Sequence, residues 1–491
     1  MDLASIIERH AQSSPRQLAL HFSGQDITYA QLWQRIEVAS TALLAAAVRP
    51  GDRVAWLGLN HPDMLVLLFA LARIGAILLP LNYRLAEPEL EGILAHAGVS
   101  LLIADEVHAD GAKRLSVATG GGLLPVSVLA RDPAALENQS LRCDPTAPVL
   151  LVYTSGTTGL PKGVLHSQSG LLSNCVIARH AQDLGPSDSV LSALPMFHVG
   201  GLCIQTLPAL HAGASVILHP RFDAAAWLAA VRERQPTLSL MVPATLRAVL
   251  DQPDFARTDL SCLRMLVAGS STIPLSMIAA IHGRGVPLTQ VYGATETGPV
   301  SIYLRREEAF AHAGSAGRAG PQVEVRLVNP NGQEVALGAV GEIWLRAPNL
   351  LCGYWKDADN PAFVDGWFHS GDLARCDAAG FYEIVGRLKD MIISGGENIY
   401  PAEIENLLLD CPQISEAAVI SQPDPRWVEV VVAVIVRAPG AELDSEQVMR
   451  LFEGRLARFK HPKRIVFCEA LPKTALGKVQ KAGLLARLLP Q

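Results

Sequence analysis

The densest chemistry in this 491-residue chain lies in Tyr153-Thr-Ser-Gly-Thr-Thr-Gly-Leu-Pro-Lys-Gly163. Hydroxyls at Thr154, Ser155, Thr157 and Thr158 are interleaved with Gly156 and Gly159, and Lys162 follows before Gly163. Glycines let backbone N–H groups turn toward an anion, hydroxyls add donors, and the lysine supplies a mobile positive charge. That combination suits a polyphosphate. A Walker A loop is excluded, because the interval from Gly156 to Lys162 has the wrong length and no Ser or Thr follows the lysine. The apolar run PVLLVYT before the loop reads as a buried strand, and a helix is expected soon after it.

Further segments carry functional residue types in a fixed order. They are Pro195-Met-Phe-His-Val-Gly-Gly201, Tyr292-Gly-Ala-Thr-Glu-Thr-Gly298, His369-Ser-Gly-Asp372, Gly386-Arg-Leu-Lys-Asp390, Ser394-Gly-Gly-Glu-Asn-Ile-Tyr-Pro401 and Pro472-Lys-Thr-Ala-Leu-Gly-Lys478. With the glycine-threonine loop they make the chain resemble the adenylate-forming superfamily, in its acyl-CoA synthetase branch, over essentially the whole length. The resemblance implies a reaction in two halves. A carboxylate displaces pyrophosphate from the α-phosphate of ATP, and the acyl group then passes to the thiol of coenzyme A. Two anions must meet in the first half, so positioning and electrostatic stabilisation matter more than a general base.

The resemblance also distributes roles. Thr154, Ser155, Gly156, Thr157, Thr158, Gly159 and Lys162 would cradle the outer phosphates. Glu296 would hold Mg2+, with Thr295 on phosphate and Tyr292, Gly293 and Ala294 flanking adenine. Gly269, Ser270 and Ser271 would lie along the base, Asp372 would accept the ribose hydroxyls, and Arg387 would contact the ribose. Lys478 would reach the α-phosphate and the attacking carboxylate; Lys473, in the same segment, competes for that role. Because Lys478 belongs to a small C-terminal domain, it acts only when that domain swings in. Lys389 is then the hinge, and Ser394, Gly395, Gly396, Glu397 and Asn398 form the loop that serves coenzyme A.

For the acid, the resemblance implies a pocket of His198, Met241, Val242, Thr245, Ala268, Gly269, Ser270, Val291, Gly293 and Val300. Little charge lines it, which suits an apolar acid. Small residues at Gly269 and Gly293 are expected to leave depth for an alkyl chain or a flat ring. His198 is expected to gate the carboxylate. A medium- or long-chain fatty acid is slightly favoured over a hydroxycinnamate or other aryl acid, and the motifs do not separate the two. Arg247 is the one nearby cation that could hold a second carboxylate; mid-helix in TLRAVL, it more readily faces solvent. No carrier segment follows Lys478, so free coenzyme A is expected as acceptor, with a separate carrier protein as the alternative.

Composition frames these readings. Apolar residues make up 49% and charged residues 18%, and 41 Lys+Arg against 47 Asp+Glu give a net charge of −6. A large core is therefore affordable, and the basic footprint of a nucleic-acid partner is absent. The eight cysteines show no CxxC pair, so reduced thiols are expected rather than a disulfide frame or zinc site. With no secretory start and no apolar stretch long enough to span a bilayer, a cytoplasmic enzyme is expected, and a homodimer is left open.

The elements that must position the motifs follow from periodicity. DRVAWLG, AILLPL and VSLLIA alternate with helical patterns, and the rhythm resumes through PVLLVYT, SVLSAL, ASVILH, TLSLMV, LRMLVAG and VPLTQVYG. This reads as an α/β fold with two doubly wound sheets in one large unit. QVEVRLV, GEIWLRA and GFYEIVG alternate apolar and polar residues, as expected of a small antiparallel, barrel-like subdomain. Residues 1–387 are thus assigned to an N-terminal domain and 388–491 to a mobile C-terminal α+β domain.

Overall fold

The computed structural model describes residues 2–130, 143–154, 162–270, 273–357, 360, 362–394, 397–474, 479–481 and 484. Four sheets organise them. The first runs, in spatial order, Arg318–Ala319, Ile302–Tyr303, Leu288–Tyr292, Met265–Ala268, Leu238–Met241, Ser189–Ser192, Ser215–Leu218, Leu18–Phe22 and Gln25–Thr28. Its interior is parallel and its edges are antiparallel. The second runs Gly353–Tyr354, Lys162–Ser167, Pro148–Thr154, Ile77–Leu81, Arg53–Leu57, Leu101–Ala104 and Gly122–Pro125, parallel except that Lys162–Ser167 is antiparallel to both of its neighbours. Strands buried on both faces need continuous apolar sequence, and LVYT-type and ILLPL-type runs supply it.

One helix fills the space between these sheets. Pro62–Ile74 has Pro at its start, the His61 ring accepting from the Asp63 N–H, and Gly75 at φ 84° closing it. Only a residue without Cβ enters that left-handed conformation cheaply. Every residue from Met64 to Ala72 is buried, as expected of a helix apolar on all sides. Its side chains share one core with Leu20, Val216 and Leu238 of the first sheet and Val54, Leu78 and Leu101 of the second. The two sheets therefore form a single large unit, as the sequence pattern predicts.

The third sheet is antiparallel: Glu324–Val328, Gly341–Arg346, Trp367–Cys376 and Phe363–Val364, with Tyr382–Arg387 pairing Trp367–Cys376. A one-turn 3-10 segment, Leu388–Asp390, follows. Beyond it lies a fourth sheet with its own core of Ile392, Ile399, Ile404, Leu408 and Phe452. Its strands are Glu397–Ile399, Ile392–Ser394, Val428–Arg437 and Ile414–Asp424, with Arg464–Phe467 parallel to Val428–Arg437. The helices Pro401–Leu409 and Ser445–Arg450 belong to the same unit.

The sequence reading places a helix soon after the glycine-threonine loop. The structure inserts a strand first. Lys162–Ser167 returns antiparallel on Pro148–Thr154, and helix Gln168–Gln182 begins only after Ser167, whose hydroxyl accepts the Gly170 N–H. Val164 and His166 face the core, so the short run has the period of a strand. The Arg464–Phe467 strand also escaped the reading, hidden in a basic segment.

Asn60 ties the two large sheets together at the end of Arg53–Leu57. Its amide donates to the carbonyls of Leu194 and His219, and its oxygen accepts the Met196 N–H at 2.8 Å. The side chain is 4% exposed, so removal strands three backbone groups away from water. Each such loss costs about 1–3 kcal/mol. Asn60→Ala should therefore lower the urea midpoint markedly, whereas an exposed control such as Lys113→Ala should leave it unchanged.

Candidate active site

The Tyr292–Gly298 segment leaves the first sheet at the C-terminal end of Leu288–Tyr292, where ligands of open α/β sheets bind. Its turn is over-determined. The Thr297 hydroxyl accepts the Ala294 N–H, and the buried Asn349 amide donates to the carbonyls of Thr297 and Val300. A Cβ on Gly293 would meet the Pro299 carbonyl oxygen at 1.8 Å, and one on Gly298 (φ 96°) the Asn349 oxygen at 2.4 Å. Gly293 is thus small because backbone crosses it, not to deepen an acyl pocket. The same correction applies to Gly269, whose Cβ direction is filled by Val291.

Asp372 comes from the third sheet. Across Ile343 the Trp367–Cys376 strand bulges, with Gly371 at φ 68°, and this turns Asp372 toward Tyr292. Its two carboxylate oxygens are engaged separately. Arg387 Nε lies 3.0 Å from Oδ1, and the Tyr292 hydroxyl donates to Oδ2 at 2.9 Å. Burial, and after it the Asp372 charge, pushes the Tyr292 phenol well above its ordinary range, so it stays a donor. Tyr292, Asp372 and Arg387, read from three separate motifs, are in direct contact.

Glu296 lies close enough to feel both the Arg387 and Asp372 charges. Burial raises its carboxyl above the usual range, and among the described residues no cation pairs with it. Among the described residues its one side-chain partner is the Tyr354 hydroxyl, at 3.3 Å. A part-buried carboxylate with no cation paired to it among those residues is a hard oxygen donor that suits a cation. Among the described residues no three His, Cys, Asp or Glu side chains cluster as a metal cage. A single carboxylate suits Mg2+ that takes most of its other ligands from phosphate and water.

The described residues on either side of the glycine-threonine segment are paired antiparallel. Thr154 pairs with Lys162 and Tyr153 with Gly163 at its base. Ser155, Gly156, Thr157, Thr158 and Gly159 lie outside the described residues, as do Ser271, Gly395, Gly396 and Lys478. Around the base, Tyr153 shares a hydrogen bond with His96 at 2.7 Å, and Trp355 donates to the His96 carbonyl. Lys162 projects its ammonium over the Tyr354 ring, 5.5 Å from the centroid. Tyr354 therefore touches two predicted site residues, yet sequence reasoning missed it; its one signal was a Gly-Tyr-Trp run with no period.

His198 ends the Pro195–His198 turn, and burial with the nearby Arg84 charge pushes its imidazole down to about 4. It is neutral at physiological pH. Met241, Val242, Ala268, Val291 and Val300 are buried, and the Thr245 hydroxyl is spent capping its own helix through Val242. Ser270 sits at φ 73° and is exposed. In helix Pro243–Leu250 the buried positions are Leu246 and Val249; Arg247 is part-exposed, as expected of a solvent-facing residue. Lys389 is exposed in the Leu388–Asp390 turn, and Ser394 pairs with Glu397 beside Asn398. Lys473 is held by Glu416 at 2.7 Å, which occupies the competitor for the catalytic amine.

Two doubly wound sheets, a third antiparallel sheet whose Asp372 meets Tyr292 at the end of the first, and a small C-terminal unit make up the architecture of the adenylate-forming enzymes. The comparisons with known proteins agree. The AMP-binding enzyme family matches residues 7–355, and the AMP-binding enzyme C-terminal domain matches 403–478. The chain is 45% identical to an indoleacetate–CoA ligase of Aromatoleum aromaticum, covering 98% of this chain and 97% of the relative. It is 42% identical to a feruloyl-CoA synthase of an Amycolatopsis species, with the same coverage. The crystal structure of ATP-bound MatB from Rhodopseudomonas palustris superposes with a TM-score of 0.91 at 30% identity, over 99% of each chain. The chain belongs to the AMP-binding enzyme family, in its acyl-CoA ligase branch. Among the described residues no helix is long and apolar enough to cross a membrane.

His166 lies behind the Glu296 turn. It is 1% exposed, its ring sits beside the Thr295 backbone, and neither nitrogen reaches hydrogen-bond geometry. Burial pushes it down to about 4 from an ordinary 6.5, so the folded state holds it neutral while the unfolded chain protonates first. Its contribution is complete above pH 6.5 and is lost as pH falls toward 4. Between pH 6.5 and 4.5 the wild type should lose ~2 kcal/mol that a His166→Leu variant does not. Denaturant titrations at the two pH values measure the difference.

Proposed function

We propose that this enzyme joins an apolar aryl acid to coenzyme A through an acyl-adenylate. The observation that carries the adenylation half is the contact of Tyr292, Asp372 and Arg387 beside Glu296, which pairs with no cation among the described residues. Asp372 and Arg387 would take the ribose, and Tyr292 would lie against the adenine. Thr154, Lys162 and the loop between them would hold the outer phosphates. Glu296 would bind Mg2+, which when bound neutralises phosphate charge.

In the first half, a carboxylate oxygen of the acid forms a bond to the α-phosphorus. The bond from that phosphorus to the bridging oxygen breaks, and pyrophosphate leaves. Lys162 and Arg387 supply positive charge in a cleft where burial strengthens it. In the second half, the thiol sulfur bonds to the acyl carbon, its proton is lost, and AMP departs with the shared oxygen. Lys478 serves the first half and the Ser394–Asn398 region the second, with the C-terminal unit turning about Lys389 between them.

The preference for an aryl acid rests on the two relatives named above, whose acids carry flat rings, and on the uncharged lining of Met241, Val242, Ala268, Val291 and Val300. His198 is neutral and Arg247 is part-exposed on its helix; the cation whose charge reaches His198 is Arg84. This reading displaces the slight preference for a fatty acid that the motifs suggested.

Two measurements test it. In a panel of indoleacetate, ferulate, benzoate, octanoate, palmitate and malonate, kcat/KM should be highest for indoleacetate or ferulate. A maximum at octanoate or palmitate refutes the aryl assignment. Separately, Lys478→Ala should abolish pyrophosphate release yet leave thioester formation from supplied acyl-adenylate largely intact. Equal loss of both halves argues against a swinging C-terminal unit.

A further inference from the structure

Tyr354 occupies a two-residue strand, Gly353–Tyr354, laid antiparallel on Val164–Leu165. Backbone bonds hold it in place on both sides. The Cys352 N–H donates to the Leu165 carbonyl, the Trp355 N–H to Gly163, and the Leu351 N–H to the Glu296 carbonyl at 2.8 Å. Five residues thus strap the strand that carries Lys162 to the turn that carries Glu296. The Trp355 indole anchors the far end on the His96 carbonyl, with the Arg53 guanidinium over its ring.

At the centre of this strap, one side chain faces both charges. The Tyr354 hydroxyl donates to Glu296 Oε1, and its ring face lies under the Lys162 ammonium. Lys162 and Glu296 carry opposite charge and would attract each other, and a direct pair would occupy both groups the nucleotide needs. A phenol between them offers each a separate, weaker partner.

We infer that Tyr354 is a positioning residue of the adenylation site, holding the Glu296 carboxylate with its hydroxyl and the Lys162 ammonium over its ring so that both remain available to a magnesium nucleotide. The inference rests on the assignment of Glu296 and Lys162 to that nucleotide. It makes the two faces of one side chain separable. The hydroxyl governs how the site uses Mg2+, and the ring governs how it meets phosphate charge.

The test uses the full chain with Tyr354→Phe, which keeps the ring, and Tyr354→Leu, which keeps neither ring nor hydroxyl. Calorimetry measures ATP binding with and without Mg2+, and pyrophosphate exchange gives KM for ATP and for the acid. For Tyr354→Phe, binding of MgATP should weaken about tenfold or more, as expected for one hydrogen bond to a charged group. Its affinity for metal-free ATP and its KM for the acid should stay at wild-type values. Tyr354→Leu should in addition weaken metal-free ATP about threefold, the size of a lost cation–π contact.

A Tyr354→Phe enzyme that matches wild type at every Mg2+ concentration overturns the hydroxyl's role. Loss of metal-free ATP binding in Tyr354→Phe overturns the division between hydroxyl and ring. Phe is nearly isosteric, so this variant remains decisive if Tyr354→Leu fails to fold. Wild type itself separates the levels of failure. If it neither binds MgATP nor exchanges pyrophosphate with any acid, the adenylation assignment falls; if it does both and the variants match it, only the role of Tyr354 falls.

Discussion

The architecture converges on one buried carboxylate. Asp372 is reached by a phenol from the large parallel sheet and by a guanidinium from its own antiparallel sheet, and each takes a different oxygen. A charge so enclosed is tolerated only when paired and hydrogen-bonded. The triad therefore fixes the third sheet against the end of the first, at the place proposed for the nucleotide. It also leaves the guanidinium's remaining donors and the carboxylate's remaining lone pairs for the sugar hydroxyls proposed to bind there.

Around that anchor the cleft is built from groups whose charge is kept local. His166 and His198 are both held neutral by burial, one behind the Glu296 turn and the other where the acid is expected. Positive charge comes from Lys162 beside Tyr354, from Arg387 on Asp372 and from Arg84 near His198. A reaction that presses a carboxylate onto a polyphosphate needs cations that are fixed, and it also needs the neighbouring apolar wall to stay uncharged so that field is not diluted by water. The arrangement meets both requirements with few residues.

Much of this was legible in the sequence, and the reason is physical. Parallel strands buried on both faces announce themselves as short apolar runs, so PVLLVYT, TLSLMV and LRMLVAG could be placed by eye. Asp372, Glu296 and Arg387 stood out because the short motifs that carry them resemble those of the family. Tyr354 did not, because a two-residue strand has no period and a tyrosine beside a tryptophan reads as filler. The depth assigned to Gly293 and Gly269 failed for the opposite reason: a missing side chain looks the same in sequence whether a ligand or the protein's own backbone fills the space.

Arg387 ends the third sheet, and the exposed turn Leu388–Asp390 begins at the next residue. For a rigid rotation, the path travelled grows in proportion to distance from the axis. If the C-terminal unit rotates about this turn as proposed, its outer edge sweeps a long arc while the guanidinium beside the axis scarcely moves. The sugar would then keep its grip on the protein through both chemical steps, and the spent nucleotide would remain seated until the thioester was made.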